Sequence, residues 1–249
     1  MKRLTGVLAF AGLAMLVALP AQASINLVTN GTFDPGSGNP YTPTESNGGF
    51  TTLNADVDAQ AHAIPGWTVT SNSVDWIDGY WQAAPGCKYS IDMSGTLNPY
   101  EKNSAEGTLV AVRFATTVGT WYLVQFDMSG NPDSGPATKV LDVGVNGGST
   151  TEFDYTLGPN NSKSNMLWAT KSYWFKATAT ESELDFSSAT PTQFGPTLDA
   201  VQSYAVTGDN STVAVIPEPA AMVVWSLLGA AVAGLAVLRR RARRASPMT

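Results

Sequence analysis

Apolar and polar residues alternate in several short runs along the middle of the chain. In residues 122–128, Tyr122, Val124, Phe126 and Met128 fall on one side while Leu123, Gln125 and Asp127 fall on the other. A period of two is the signature of a strand with one face in a core. The same pattern recurs in residues 108–114, in 139–145 with Leu141, Val143 and Val145 inward, in 173–177 and in 183–186. Turn chemistry separates the runs, as in the Asn131-Pro132-Asp133-Ser134-Gly135-Pro136 stretch and in Asn146-Gly147-Gly148. Short strands, regular turns and little helical periodicity predict an all-β jelly-roll sandwich. Residues 34–57, rich in Gly, Pro, Ser, Thr and Asn with few apolar positions, read as a long surface loop.

The two ends carry a different pattern. Met1-Lys2-Arg3 precedes an apolar stretch over residues 4–19 and then Pro20-Ala21-Gln22-Ala23. A basic start, an apolar run and an Ala-x-Ala site specify a secretory signal peptide over residues 1–23 in preference to an uncleaved anchor helix, so the mature chain begins at Ser24. At the other end Ile216 leads into Pro217-Glu218-Pro219, then into residues 220–238 without a charge, then into Arg239, Arg240, Arg241, Arg243 and Arg244. The uncharged run spans roughly 28 Å as a helix, about one hydrocarbon core, and predicts a transmembrane helix. Arginines directly after it place the C-terminus in the cytoplasm and residues 24–216 outside. That topology explains the basic cluster better than a nucleic-acid patch does.

The order of Pro217-Glu218-Pro219, apolar helix and arginine cluster resembles the PEP-CTERM sorting signal of Gram-negative bacteria that make extracellular polysaccharide. The resemblance covers about the last thirty residues. It implies that an exosortase, a membrane enzyme, recognises Pro217, Glu218 and Pro219 and cuts near them.

Charge then narrows the function. Residues 24–216 keep 7 Lys and Arg against 19 Asp and Glu, a net charge of −12. Such an acidic body argues against nucleic acid or anionic lipid as partner. Cys87 is the single cysteine, so no intrachain disulfide can form, and its expected state is a small buried hydrophobe ahead of an intermolecular bridge or a nucleophile. His62 is the single histidine and no nucleophile-elbow motif accompanies it, so hydrolase triads and His/Cys zinc sites find no support. Carboxylate pairs such as Asp75 with Asp78 and Glu183 with Asp185 leave a glycosidase as the alternative. The expectation is a protein that is not an enzyme.

A second resemblance runs through the body. Asn26-Leu27-Val28-Thr29-Asn30-Gly31-Thr32-Phe33-Asp34 opens it. Ile64-Pro65-Gly66-Trp67, Ser73-Val74-Asp75-Trp76-Ile77, Trp81-Gln82-Ala83-Ala84-Pro85-Gly86 and Tyr89-Ser90-Ile91-Asp92-Met93-Ser94-Gly95 follow, and Gly195-Pro196-Thr197-Leu198-Asp199-Ala200-Val201 comes last. The series resembles the domain of unknown function 642 family, whose bacterial members with sorting tails are called choice-of-anchor C proteins. Asp34 stands where the family's opening has Glu, and Met93 where Leu is common. The resemblance implies a galactose-binding-like jelly roll over residues 24–216, similar in fold to carbohydrate-binding modules. It also implies a structural calcium ion held by Asp34 and Asp199, whose hard oxygen ligands suit that metal.

Sugar recognition needs a flat aromatic face beside polar groups. Trp67, in phase with Val69, reads as core, and the candidates for glycan contact are Trp76, Tyr80, Trp81, Trp121 and Trp174, with Trp168 ambiguous. Trp121 and Trp174 fall on the outward phase of their strands. The chain therefore reads as exported, anchored in the inner membrane in transit, and finally part of the cell surface or extracellular matrix. Its expected role is structural or adhesive, with an exosortase and extracellular polysaccharide as partners, against a glycan-active enzyme or a protein-binding scaffold.

Overall fold

A computed structural model describes residues 25–43, 48–96 and 106–206. The signal segment 1–23, the motif at Pro217 to Pro219, the apolar run 220–238 and the arginines that follow it lie outside the described residues.

The elements in order are β1 (Phe50–Asn54), α1 (Asp58–Ala61), β2 (Trp67–Ser71), β3 (Ser73–Asp78), β4 (Tyr89–Asp92), β5 (Thr108–Ala111) and β6 (Phe114–Ala115). They continue with β7 (Trp121–Gly130), β8 (Thr138–Val145), β9 (Thr151–Thr156), β10 (Ala169–Lys176), β11 (Glu181–Ser182), β12 (Leu184–Ser188) and β13 (Pro196–Val206). One sheet has the order β1-β3-β4-β13-β7-β10 and the other β2-β5-β12-β8-β9, with β6 and β11 as a small ribbon. The strand pairs are antiparallel, and the chain crosses repeatedly from one sheet to the other, which gives the all-β sandwich that the alternation predicts.

In β7 the forecast face is the core face: Tyr122, Val124, Phe126 and Met128 are buried. Phe126 of β7 bridges the sheets at 5.5 Å from Phe186 of β12, and Phe186 lies 6.0 Å from Trp67 of β2 within its own sheet. Edge and tilted contacts of this kind suit the ring quadrupole. β8 follows its expected phase at Leu141 and Val143, whereas Val145 is only half-buried. The same phase buries Lys139 completely. Its stem passes Gly130, where a Cβ would come within 2.6 Å of Lys139 Cγ. Its ammonium donates to the carbonyls of Ser134 (2.8 Å) and Phe194 (2.6 Å), and burial pulls its pKa below the ordinary lysine range.

The expectation of a continuous loop over residues 34–57 is corrected. β1 forms within it and pairs with β3, Leu53 opposite Val74, and Leu53 is fully buried. One inward apolar residue suffices because β1 is an edge strand that needs partners on one side only.

The opening segment closes the sandwich. Leu27 N–H donates to Ser203 O and Val201 N–H to Gly31 O, so the segment lies along β13. Phe33 packs at 5.1 Å from Trp67 and is fully buried. Trp67 Nε1 donates to Asn30 O at 2.9 Å, and Trp76 Nε1 to Phe33 O at 3.0 Å. A Cβ on Gly31 would lie 1.8 Å from Val201 O, so only glycine fits there. Asn30 and Phe33 adopt positive φ (53° and 56°), and Asn30 tolerates this by donating Nδ2 to Asp34 O and Pro65 O.

Gly31→Ala is expected to lower unfolding free energy by about 3 kcal/mol, because the backbone of β13 must move away. Urea denaturation of the full chain checks this, and an unchanged midpoint would contradict the closure described.

Candidate ligand-binding site

The outward face of the six-stranded sheet carries two different surfaces. Across β10, β7 and β13 the register aligns Trp174 with Leu123 and Tyr204, then Lys176 with Trp121 and Val206, then Ser172 with Gln125 and Gln202. Trp121 is 37% and Trp174 39% exposed, while Leu123 is buried in the same face. Tyr204 donates its hydroxyl to Gln202 Oε1. The result is an aromatic platform bordered by amides and hydroxyls, the combination that sugar stacking requires. Both tryptophans face outward, as their strand phase predicts.

A bulge in β13 shapes the part of this face next to the platform. Pairing shifts between Asp199 and Gln202, and Ala200 takes φ +50°, so Leu198 and Val201 both reach the core while Asp199 and Gln202 face outward. Asp199 then lies opposite Asp127. Its carboxylate accepts Ala84 N–H (3.0 Å) and Ala200 N–H (2.7 Å), and Cys87 is hydrogen-bonded to it. Burial first, with Asp127 beside it, raises the Asp199 pKa to about 7. Burial and the Asp199 charge push the Cys87 thiol up to about 12, which makes it a poor nucleophile.

Toward the other end, two loops roof the sheet. Trp81 of the loop after β3 and Met166 of the loop before β10 pack on Ile77 as a separate apolar cluster. Gln82 N–H donates to Lys163 O, Trp168 Nε1 to Gln82 O and Ser129 Oγ to Met166 O, which pins the two loops together and to β7. Beside the Trp81 end of this cluster lies an open cavity of about 140 Å³, walled by Phe50, Tyr80 and Trp81 and by the polar side chains of Thr96, Asn131 and Asp133. Asp75 of β3 and Asp92 of β4, opposite each other in register, reach it side by side. Asp75 accepts from Thr52 Oγ1 (2.6 Å), Thr96 N–H (3.1 Å) and Thr96 Oγ1 (2.8 Å). Asp92 accepts from Ser94 N–H (3.0 Å), Gly195 N–H (3.2 Å) and Asn131 Nδ2 (2.8 Å). Burial raises the pKa of both, and the Asp75 charge adds to the rise at Asp92.

Several expected site residues sit elsewhere than their role requires. Trp76 is fully buried with its indole N–H satisfied by Phe33 O, so it belongs to the core and is corrected as a ligand contact. Trp81 is 5% exposed and donates to Ser90 Oγ, so it walls the cavity instead of offering a platform. Tyr80 stands at the cavity rim, where it donates to Asp133 Oδ2 at 2.5 Å. The calcium pair does not fit its role. Asp34 is exposed, with Oδ1 accepting Gly36 N–H, and the Asp199 oxygens are met by N–H and S–H donors, so no convergent oxygen set surrounds either. Among the described residues no group of three or more His, Cys, Asp or Glu could hold a metal ion. His62 caps α1, exposed, with Nδ1 at 2.9 Å from Asp58 O. Asp92 and Lys139 are the residues that sequence spacing missed. Only strand register brings Asp92 to Asp75, whereas the phase of β8 already pointed Lys139 inward.

The model of a family described as "Protein of unknown function (DUF642)" matches residues 26–203. Halomucin of Haloquadratum walsbyi is 28% identical over 180 residues, covering 72% of this chain and 2% of that protein. This chain therefore spans a very small part of the curated relative it matches. Among solved structures, a carbohydrate binding module of Cellvibrio mixtus lichenase 5A in complex with cellotriose is 11% identical, with a TM-score of 0.36. It covers 63% of this chain and 98% of that one. CBM35 from Paenibacillus barcinonensis is 17% identical with a TM-score of 0.37, covering 64% and 99%. Likeness this distant leaves the ligands of those modules as properties of those modules.

Asp199 also sets a pH dependence. Between the unfolded carboxylate value near 3.8 and about 7, the folded state holds a proton that the unfolded chain releases. Stability is fully present below that window and falls as pH rises through it, by up to about 1.4 kcal/mol per pH unit. Asp199→Asn is expected to flatten this fall. Denaturation midpoints at pH 5 and pH 8 check it, and an equal pH difference in both proteins would contradict the assignment.

Proposed function

We propose, from the premise that the chain belongs to the DUF642 family of proteins of unknown function, that it is an exported cell-surface protein that binds polysaccharide through the Trp121–Trp174 platform. The observation that carries this reading is the pair of tryptophans, more than a third exposed on one sheet face, bordered by Gln125, Gln202, Ser172 and Tyr204. Exposed aromatic area of this kind is costly in water and is retained where a ligand covers it. A pyranose offers CH groups to the rings and hydroxyls to the amides, so one surface serves both halves of the ligand.

Export rests on the two ends of the sequence. The signal segment 1–23 delivers the body across the inner membrane, and the Pro217-Glu218-Pro219 tail with its apolar run and arginines hands it to an exosortase, in the manner of choice-of-anchor C proteins. The role is adhesive or structural and not catalytic: the single histidine is an exposed cap, and the single thiol is pushed away from reactivity.

Trp121→Ala with Trp174→Ala is expected to cut retention on insoluble polysaccharides about tenfold, with the fold retained because both side chains lie on the outer face and are more than a third exposed. Equal retention of variant and parent, or equal retention on inert beads, would overturn the platform reading. Release of reducing sugar by the parent would favour a hydrolase built on Asp75 and Asp92. Mass measurement of protein recovered from cells is expected to give a chain that starts at Ser24 and lacks the apolar run 220–238. Retention of that run would mean a permanent anchor.

A further inference from the structure

The cavity at the far end of the same sheet face carries chemistry that the platform does not use. At its rim the Lys163 ammonium lies 3.7 Å from the centroid of the Tyr80 ring and 3.0 Å from Asp133 Oδ2. Tyr80 donates its hydroxyl to that same carboxylate oxygen. An ammonium held between an aromatic face and a carboxylate is the arrangement by which proteins recognise organic cations.

Behind the rim lie Asp75 and Asp92, 6% and 1% exposed. Their six hydrogen bonds come from hydroxyl, amide and backbone donors, all neutral. Among the described residues no ion pair reaches either one. The Lys139 ammonium donates to the Ser134 and Phe194 carbonyls and acts on Asp92 through its charge without a hydrogen bond, and no cation is bonded to Asp75 among the described residues. Thr197, the cross-strand neighbour of Asp92, is fully buried, and its Oγ1 has no hydrogen-bond partner among the described residues. Buried carboxylates without a bonded cation carry a desolvation cost that a cationic donor reaching them through the cavity would relieve.

The walls select the kind of cation. Oxygen-bearing side chains share the lining with the rings of Phe50, Tyr80 and Trp81; the rings suit an organic ammonium, and among the described residues no group of three or more His, Cys, Asp or Glu could hold a metal ion. At about 140 Å³ the cavity is less than half the roughly 300 Å³ of the smallest drug-sized pockets, so it holds a substituent or one small unit of a polymer.

We propose that this cavity binds a primary ammonium group carried on a glycan, as in a de-N-acetylated amino sugar, and that Lys163 at its mouth competes for the same position. The glycan as carrier rests on the polysaccharide reading above; the ammonium site does not. The acidic body, with a net charge of −12 over residues 24–216, attracts a cationic polymer over longer range.

The test titrates the full chain, labelled with ¹⁵N at the tryptophan indoles, with D-glucosamine and with N-acetyl-D-glucosamine. The Trp81 indole N–H, assigned by Trp81→Phe, is the readout. D-Glucosamine is expected to shift that signal and the N-acetyl sugar to leave it in place. Lys163→Met, a change at a partly exposed side chain, is expected to tighten D-glucosamine binding about fivefold, the worth of one cation–π contact. Asp75→Asn is expected to weaken it about tenfold or more. Equal responses to the two sugars, or none to either, would overturn the ammonium site, and unchanged affinity in Lys163→Met would overturn the competition. If the platform variants keep full polysaccharide retention while D-glucosamine still moves the Trp81 signal, the ammonium site stands and its glycan carrier falls.

Discussion

Two indole N–H groups inside the sandwich must find acceptors, and the backbone of the opening segment supplies both. Trp67 bonds the Asn30 carbonyl and Trp76 the Phe33 carbonyl, so the turn between those residues is fixed at both ends by core tryptophans. A buried indole left without a partner costs a few kcal/mol, comparable to a sizeable share of a domain's net stability. The Asn-Gly-x-Phe sequence is the one that satisfies all conditions together. Asn30 takes the left-handed conformation, Gly31 passes β13 where a Cβ would collide, and the Phe33 ring packs on Trp67 while its carbonyl meets Trp76. What reads in the sequence as a family signature is in the fold a seal that orders β13, and β13 in turn orders the sheet that bears both candidate surfaces.

Strand faces were legible where alternation is long and one side is solvated, as in β7, β8 and β10. β1 was not legible, because an edge strand with Leu53 as its one fully buried residue leaves almost no periodic trace. The outward phase of Trp121 and Trp174 could be read from their strands. Trp76 and Trp81 could not be placed, because an outward phase means solvent only when nothing packs on that face, and core-facing and roofed rings look alike in sequence. The Asp75–Asp92 pair depends on the register of β3 against β4, which no local pattern encodes. Implied calcium ligands fail for a related reason: resemblance supplies residue types, while the donors around Asp199 are backbone N–H groups whose positions are set by the bulge at Ala200.

The same sheet face is thus divided by its loops. Where the loops after β3 and before β10 meet, apolar contacts and shared hydrogen bonds make a roof, and Asp199, capped by Ala84 of the first loop, loses water. Beyond the roof, Trp121 and Trp174 stay open because the rows of β10, β7 and β13 carry no covering segment among the described residues. Roughly 20 Å of β7 separates Ser129 under the roof from Leu123 on the platform. The proposed stacking platform and the proposed ammonium site thus lie along one sheet face, within the span of a single extended polymer.

β13 sits between β4 and β7 and is the last described strand, so whatever holds the chain beyond Val206 pulls on an interior member of the sheet. A load along that strand is resisted by its ladder to β7 over Pro196–Val206, by the β4 pairs at Thr197 and Leu198 and by the opening segment at Val201 and Ser203, as shear across many hydrogen bonds instead of unzipping one at a time. A tether joined there would load the domain in shear, where a joint at edge strand β10 would peel it open one hydrogen bond at a time.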